Sequence, residues 1–218
     1  MSFIPIFQKD LLIEFRTKYS FSTLFLFVFV VVALFYYNLH GQKLEPIFLS
    51  SIYWIVIYFA SLSGLTRGFL YEEDKGTLIF LQLYSNPISV YTAKLLINLI
   101  MTNSINILTS LLFVLLLEDY IIFDIFHYAL NTFLVSSTLS IIITLLSAII
   151  SKSNNKSSLL AVLSFPTVLP MILLGSNDLA NAFIQDKGFV LEDFIFMLSY
   201  SGLITIVSYF LFEFIWKD

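Results

Sequence analysis

The sequence predicts an all-α, polytopic membrane protein with six transmembrane helices. Three observations carry this. Apolar residues make up 59% of the 218 residues and charged residues 12%, against about 45–50% and about 25% in soluble domains. Six apolar runs contain no Asp, Glu, Lys, Arg or His. The basic residues fall almost entirely on one side of the membrane that those runs define.

Taken in order, residues Phe3–Tyr19 repeat at i, i+4, with Phe3, Phe7, Leu11 and Phe15 on one face and Asp10, Glu14 and Lys18 on another. That pattern predicts an amphipathic helix lying in the membrane interface, or else a solvated lead-in. The spans are expected at Phe21–Tyr37, Pro46–Thr66, Leu95–Leu117, Tyr128–Ile150, Ser158–Gly175 and Phe194–Phe212. Each reaches across a core of about 30 Å as a helix, the first and fifth only just, and helices keep their backbone groups satisfied within the segment. The 24 Phe and 12 Tyr suit lipid contact and the interfaces. No small-residue cleavage pattern follows the first run, which is therefore expected to be retained. Residues 1–218 read as one transmembrane domain. It comprises an interfacial segment at 1–19, a cytoplasmic segment at 67–94 and an outer loop at 176–193 that can hold short helices.

Orientation follows from charge. Lys9, Arg16, Lys18, Arg67, Lys75, Lys94, Lys152, Lys156 and Lys217 share one side, and only Lys43 and Lys187 lie on the other. The positive-inside rule places the larger group, and both termini, in the cytoplasm. The outer connections are acidic, with Glu45, Glu118, Asp119, Asp124, Asp178, Asp186, Glu192 and Asp193.

The connection from Arg67 to Lys94 is the longest and most charged. Span two is expected to continue to Glu73 or Asp74, and Gly76 to break it in a left-handed conformation. Thr77 then caps a short helix, Leu78–Tyr84, which Asn86-Pro87 ends. That helix carries Leu78, Phe80, Leu81, Leu83 and Tyr84, too apolar to stay free in water. It either inserts into a groove of another protein or tucks against the chain's own helices.

The run Glu72-Glu73-Asp74, Gly76-Thr77-Leu78, the apolar segment, Pro87 and Lys94 resembles type-2 ABC exporter permeases, in which the short helix couples to a separate ATPase subunit. Lys9-Asp10-Leu11 and the Phe165-Pro166 to Pro170-Met171 stretch narrow the resemblance, over nearly the whole chain, to the heme exporter protein B (CcmB) family of cytochrome c maturation. The resemblance implies an ABC ATPase partner, with ATP used there and heme as substrate. It also implies other cytochrome c maturation membrane proteins as partners and the bacterial cytoplasmic (inner) membrane; two copies per complex are expected because a single six-helix bundle encloses little volume. Its coupling residues would be Glu72, Glu73, Asp74, Gly76, Thr77, Leu78, Phe80, Leu81, Tyr84 and Pro87, positioned with Arg67, while Lys94 anchors the return into the membrane. Phe80 departs from the Glu common in the family at that position, where Glu completes a capping box.

What is missing narrows the function classes. With no Cys there are no disulfides, thiolate metal sites or redox dithiols. No Gly is followed by Lys, so the chain has no phosphate-binding loop of the Gly-x-x-x-x-Gly-Lys type and is not expected to be an enzyme itself. The spans carry no ionisable group at depth, against proton relays and embedded proteases. Asn98, Thr102 and Asn106 form one neutral stripe and Ser136, Ser140 and Thr144 another, suiting helix packing or a lateral path for an amphiphile. Pro166 and Pro170 suggest a kink or hinge in span five. His40 and His127 are expected at the outer surface without a metal. Gly64-x-x-x-Gly68 is a weak packing motif. A non-transporting scaffold, and a permease for a lipid or drug, remain alternatives.

Overall fold

A computed structural model describes residues 3–217 apart from 18, 66, 152, 154, 155, 186 and 188. Thr66, Lys18, Lys152 and Asp186, which enter the spans and charges above, lie outside the described residues, as do the side chains of Phe15, Arg67, Lys156 and Lys217. The described residues form α1 (Phe3–Thr17), α2 (Tyr19–Leu39), α3 (Pro46–Gly64), α4 (Arg67–Asp74), α5 (Leu78–Tyr84), α6 (Pro87–Leu116), α7 (Ile125–Ser151), α8 (Lys156–Asn181) and α9 (Leu191–Lys217), with no strand among them. Six stretches are long and apolar enough to cross a membrane, one for each expected run.

Two boundaries differ most from the sequence reading. The third spanning helix begins at Pro87 rather than Leu95, because Pro87 suits a first helical position and Asn86 caps it, its Oδ1 accepting from the Ile88 amide at 3.2 Å. The fifth runs on from Gly175 to Asn181, so the first third of the expected outer loop is helix. The polar residues there do not end it: Ser176 donates to the Leu173 carbonyl of its own helix at 3.0 Å, and Asp178 finds His127 and Asn131 at the start of α7.

α7 is the axis of the bundle. It packs on α3, α4, α6, α8 and α9 and is buried on nearly every side from Val135 to Ser151. Such a helix surrounded by protein needs small and polar residues where neighbours come close, which Ser136, Ser140, Thr144 and Ser147 provide. At Gly175 of α8 an added Cβ would lie 2.7 Å from Val135 Cγ2, so α7 and α8 approach there as only glycine allows. Gly64 does the same for α3 against Leu24 of α2, at 2.5 Å; Gly68 has no such contact, its nearest neighbour being Lys94 Cδ at 3.7 Å. α2 and α9 lie outside, with Phe25, Leu26, Phe29, Phe196, Ile206 and Phe210 exposed, the surface a lipid solvent requires.

A cage of aromatic side chains closes one end of the core. Tyr53, Phe113, Tyr120, Tyr128 and Phe183 meet at ring distances of 4.6–6.3 Å. Their hydroxyls are served within the cage, Tyr128 donating to Ser110 Oγ at 2.6 Å and Tyr120 lying 3.1 Å from Tyr128. Large rings can thus be buried without orphaned hydroxyls.

Candidate functional site

The connection between the second and third spans folds as a short platform. α4 ends at Asp74 and Gly76 adopts φ +66°, the left-handed turn that a side chain would strain. α5 follows over Leu78–Tyr84, and Ser85 is extended before Pro87 starts α6. α5 has two apolar faces with different fates. Leu78 and Leu81 point inward into a cluster with Ile6, Phe69, Tyr91, Phe212 and Trp216. Ile79, Phe80, Leu83 and Tyr84 point outward, each more than 60% exposed. One face thus tucks against the chain's own helices, as one of the two expectations for this helix had it, and the other face is open. Of the residues picked from sequence, Leu78 and Leu81 are anchors and Phe80, Leu83 and Tyr84 lie on the open face, which Ile79, not picked from sequence, also joins.

Thr77 does not cap α5 with its side chain. It occupies the N-cap position in an αR conformation, and its hydroxyl is turned back to the Glu72 carboxylate. The physical reason lies in what surrounds Glu72. That carboxylate, 5% exposed, also accepts from Lys9 and lies 3.7 Å from Lys94 Nζ. Lys94, 3% exposed, donates to Asp10 Oδ2 at 3.0 Å and to the Gly68 carbonyl at 2.9 Å. A buried carboxylate needs every donor in reach, and a neutral cap bond competes poorly with a charge-assisted one. Asp10, expected on the polar face of α1, is thereby drawn inward, and α1 packs on α6 with Ile6 buried. Burial alone would lower the Lys9 pKa, but its hydrogen bond to Glu72 and the nearby Asp10 carboxylate win, and it is raised above 10.5. The three acidic residues separate by depth: Glu72 is buried, Glu73 half-buried and Asp74 exposed. α1, α4 and α6 are thus tied together directly beneath the turn from which α5 projects.

The polar stripe of α6 makes interhelical bonds. Asn98 donates to Thr144 of α7 at 2.8 Å, and Asn106 accepts from Tyr53 of α3. Thr102 is fully buried and donates to the Asn98 carbonyl at 2.7 Å. Asn103 and Ser136 add a link at 3.1 Å. Pro166 is exposed and Pro170 half-buried, and α8 is helical through both.

A model of the CcmB protein family matches residues 1–214. The chain belongs to the CcmB family. No curated protein matches the chain. As a CcmB-family protein it is a membrane permease subunit of heme export in cytochrome c maturation, part of an ABC-type complex and not in itself an enzyme. The match spans α1 through nearly all of α9, so the platform, its charged base and the six spans all lie within it.

One buried site in this CcmB-family chain escaped the sequence reading. His127, in the first turn of α7, is not at the surface; it is 1% exposed, its Nε2 2.9 Å from Oδ2 of an equally buried Asp178. Asn131, one turn on, donates to the same oxygen at 2.7 Å and to the Gly175 carbonyl at 3.1 Å. Phe189 lies edge-on to the imidazole at 5.2 Å. The spacing of His127 and Asn131 at i, i+4 was visible, but Asp178 was assigned to a loop, and only its helical placement brings the three together. His40 is exposed and stands 5.2 Å from the Tyr36 ring, at a polar cavity with Lys43, Glu118 and Asp119.

Proposed function

We propose that this chain couples ATP hydrolysis in a separate ABC subunit to the export or hand-off of heme for c-type cytochrome assembly. The two-faced α5 carries the reading. Leu78 and Leu81 anchor it to the bundle while Ile79, Phe80, Leu83 and Tyr84 form an open apolar ridge, the form in which a helix seats in a partner's groove. A ridge of this kind beside charged Asp74 and Lys75 lies on the side that the basic residues assign to the cytoplasm, where ATP is available. The Lys9–Glu72–Lys94–Asp10 base would pass a push on α5 into α1 and α6 rather than letting the segment flex. Two copies in the bacterial inner membrane, both termini inside, would line the pathway between them, since the interior of a single bundle is filled by side chains.

The chain supplies docking and movement; nucleotide chemistry belongs to the partner. No residue is assigned as a heme ligand. Co-purification of the ATPase subunit with Phe80→Asp and Leu83→Asp tests the reading. Both variants should fold, elute as the wild type does, and lose the ATPase subunit together with cytochrome c formation. An ATPase that still co-purifies and turns over normally would sink the docking assignment and favour a scaffold.

A further inference from the structure

α9 joins the coupling platform to the proline stretch of α8. At its cytoplasmic end the Trp216 carbonyl accepts from Gln82 Nε2 of α5 at 3.3 Å. The Trp216 and Phe212 rings meet at 5.3 Å, tilted by 37°, and Phe212 meets Phe69 of α4 at 5.4 Å and Tyr91 of α6 at 4.8 Å. Sixteen residues earlier, about 24 Å along a helix, the Tyr200 hydroxyl donates to the Thr167 carbonyl at 2.5 Å. Thr167 stands between Pro166 and Pro170, the only prolines inside a described helix beyond its first turn. Each proline lacks the amide hydrogen that would close the preceding turn, so α8 bends most easily there.

Between these ends α9 is held by a narrow row. Met197, Ser208, Phe212 and Trp216 are buried, while Phe196, Leu203, Ile206 and Phe210 face outward. A helix attached along one row, with its outer side in lipid, can shift lengthwise or tilt at low cost. α7, enclosed on nearly every side, cannot do so without repacking a close-packed core.

We propose that α9 is the transmission element of this permease and that Tyr200 is a positioning residue for transport. Movement of α5 enters α9 at Trp216 and leaves through Tyr200 into the proline-softened turn of α8. This inference rests on the coupling role of α5 proposed above. Tyr200 touches neither the ATPase-facing ridge nor any group assigned to substrate, so its loss should separate hydrolysis from delivery.

The test uses Tyr200→Phe, which keeps the ring and deletes the hydroxyl, in the full complex with its ATPase subunit. The complex should assemble and hydrolyse ATP within twofold of wild type, while c-type cytochrome yield, read by heme staining in complemented cells, falls at least fivefold. Hydrogen exchange of the peptide covering residues 160–175 should respond to ATP in the wild type and lose that response in the variant. An unchanged cytochrome yield, an unchanged exchange response, or a parallel loss of ATPase activity and yield would each overturn the inference. The Phe80→Asp result is read separately: an ATPase that stays bound there defeats the docking reading, whatever Tyr200→Phe does.

Discussion

His127 and Asp178 face each other at 2.9 Å where the start of α7 meets the end of α8, each side chain 1% exposed. A polar side chain buried this deeply is costly once its partner is removed, so the contact ties the ends of the two helices together. Asn131 adds a donor to Asp178 at 2.7 Å.

Removing one partner should therefore cost more than removing both. Asp178→Leu or His127→Leu alone is expected to destabilise the protein by about 3–5 kcal/mol. The double substitution should recover much of that loss. Thermal unfolding in detergent measures all three, and additive losses would mean the pair does not interact.

The base of the platform should behave likewise. Lys94→Met strands Asp10 and Glu72 beside a half-exposed Lys9, and should cost about 3 kcal/mol. Lys9→Met should cost under about 1 kcal/mol because its side chain is 41% exposed and screened by water. The sign of the pH effect is set by Lys9, whose pKa is raised above 10.5. Its contribution is complete below about pH 10.5 and lost as pH rises through the folded value. Stability followed from pH 7 to pH 9 should show no loss from this group, and Lys9→Met should flatten the alkaline limb.

Gly175→Ala should be poorly tolerated. Its new Cβ would sit 2.7 Å from Val135 Cγ2, on a β-branched side chain with little rotamer freedom. A loss of about 1–3 kcal/mol is expected, and Val135→Ala should relieve it. Absence of rescue in the double variant would show that the α7–α8 contact adjusts elsewhere.

Leu81→Asp and Leu83→Asp lie two residues apart and should fail differently. Leu81 is 7% exposed and Leu83 72% exposed. The inward change places a carboxylate in the cluster around Tyr91 and Phe212, so folded protein should fall sharply in size-exclusion profiles. The outward change should leave that profile intact and affect only ATPase binding. A Leu81→Asp protein that folds normally would contradict the inward packing of α5.

Periodicity and charge were enough to read much of this protein from its residues. Six uncharged runs long enough for a bilayer have one stable solution, because hydrocarbon leaves no backbone group unpaired, and helices follow. Gly76, Thr77 and Asn86-Pro87 bounded α5 to the residue, since turn and cap chemistry is local. Other features are set by approaches between segments far apart in sequence, which no local pattern encodes. Thr77 turned from capping to binding Glu72 because Lys9 and Lys94 arrive from α1 and α6. Asp178 left the expected loop because α7 offers His127 and Asn131. Leu81 and Leu83 look alike in sequence; only packing against Tyr91, Phe212 and Trp216 decides which is anchor and which is ridge. Composition thus determined that the chain forms six apolar spanning helices, while tertiary packing decided where its polar groups find partners, because a buried charge is governed by whatever distant segment reaches it first.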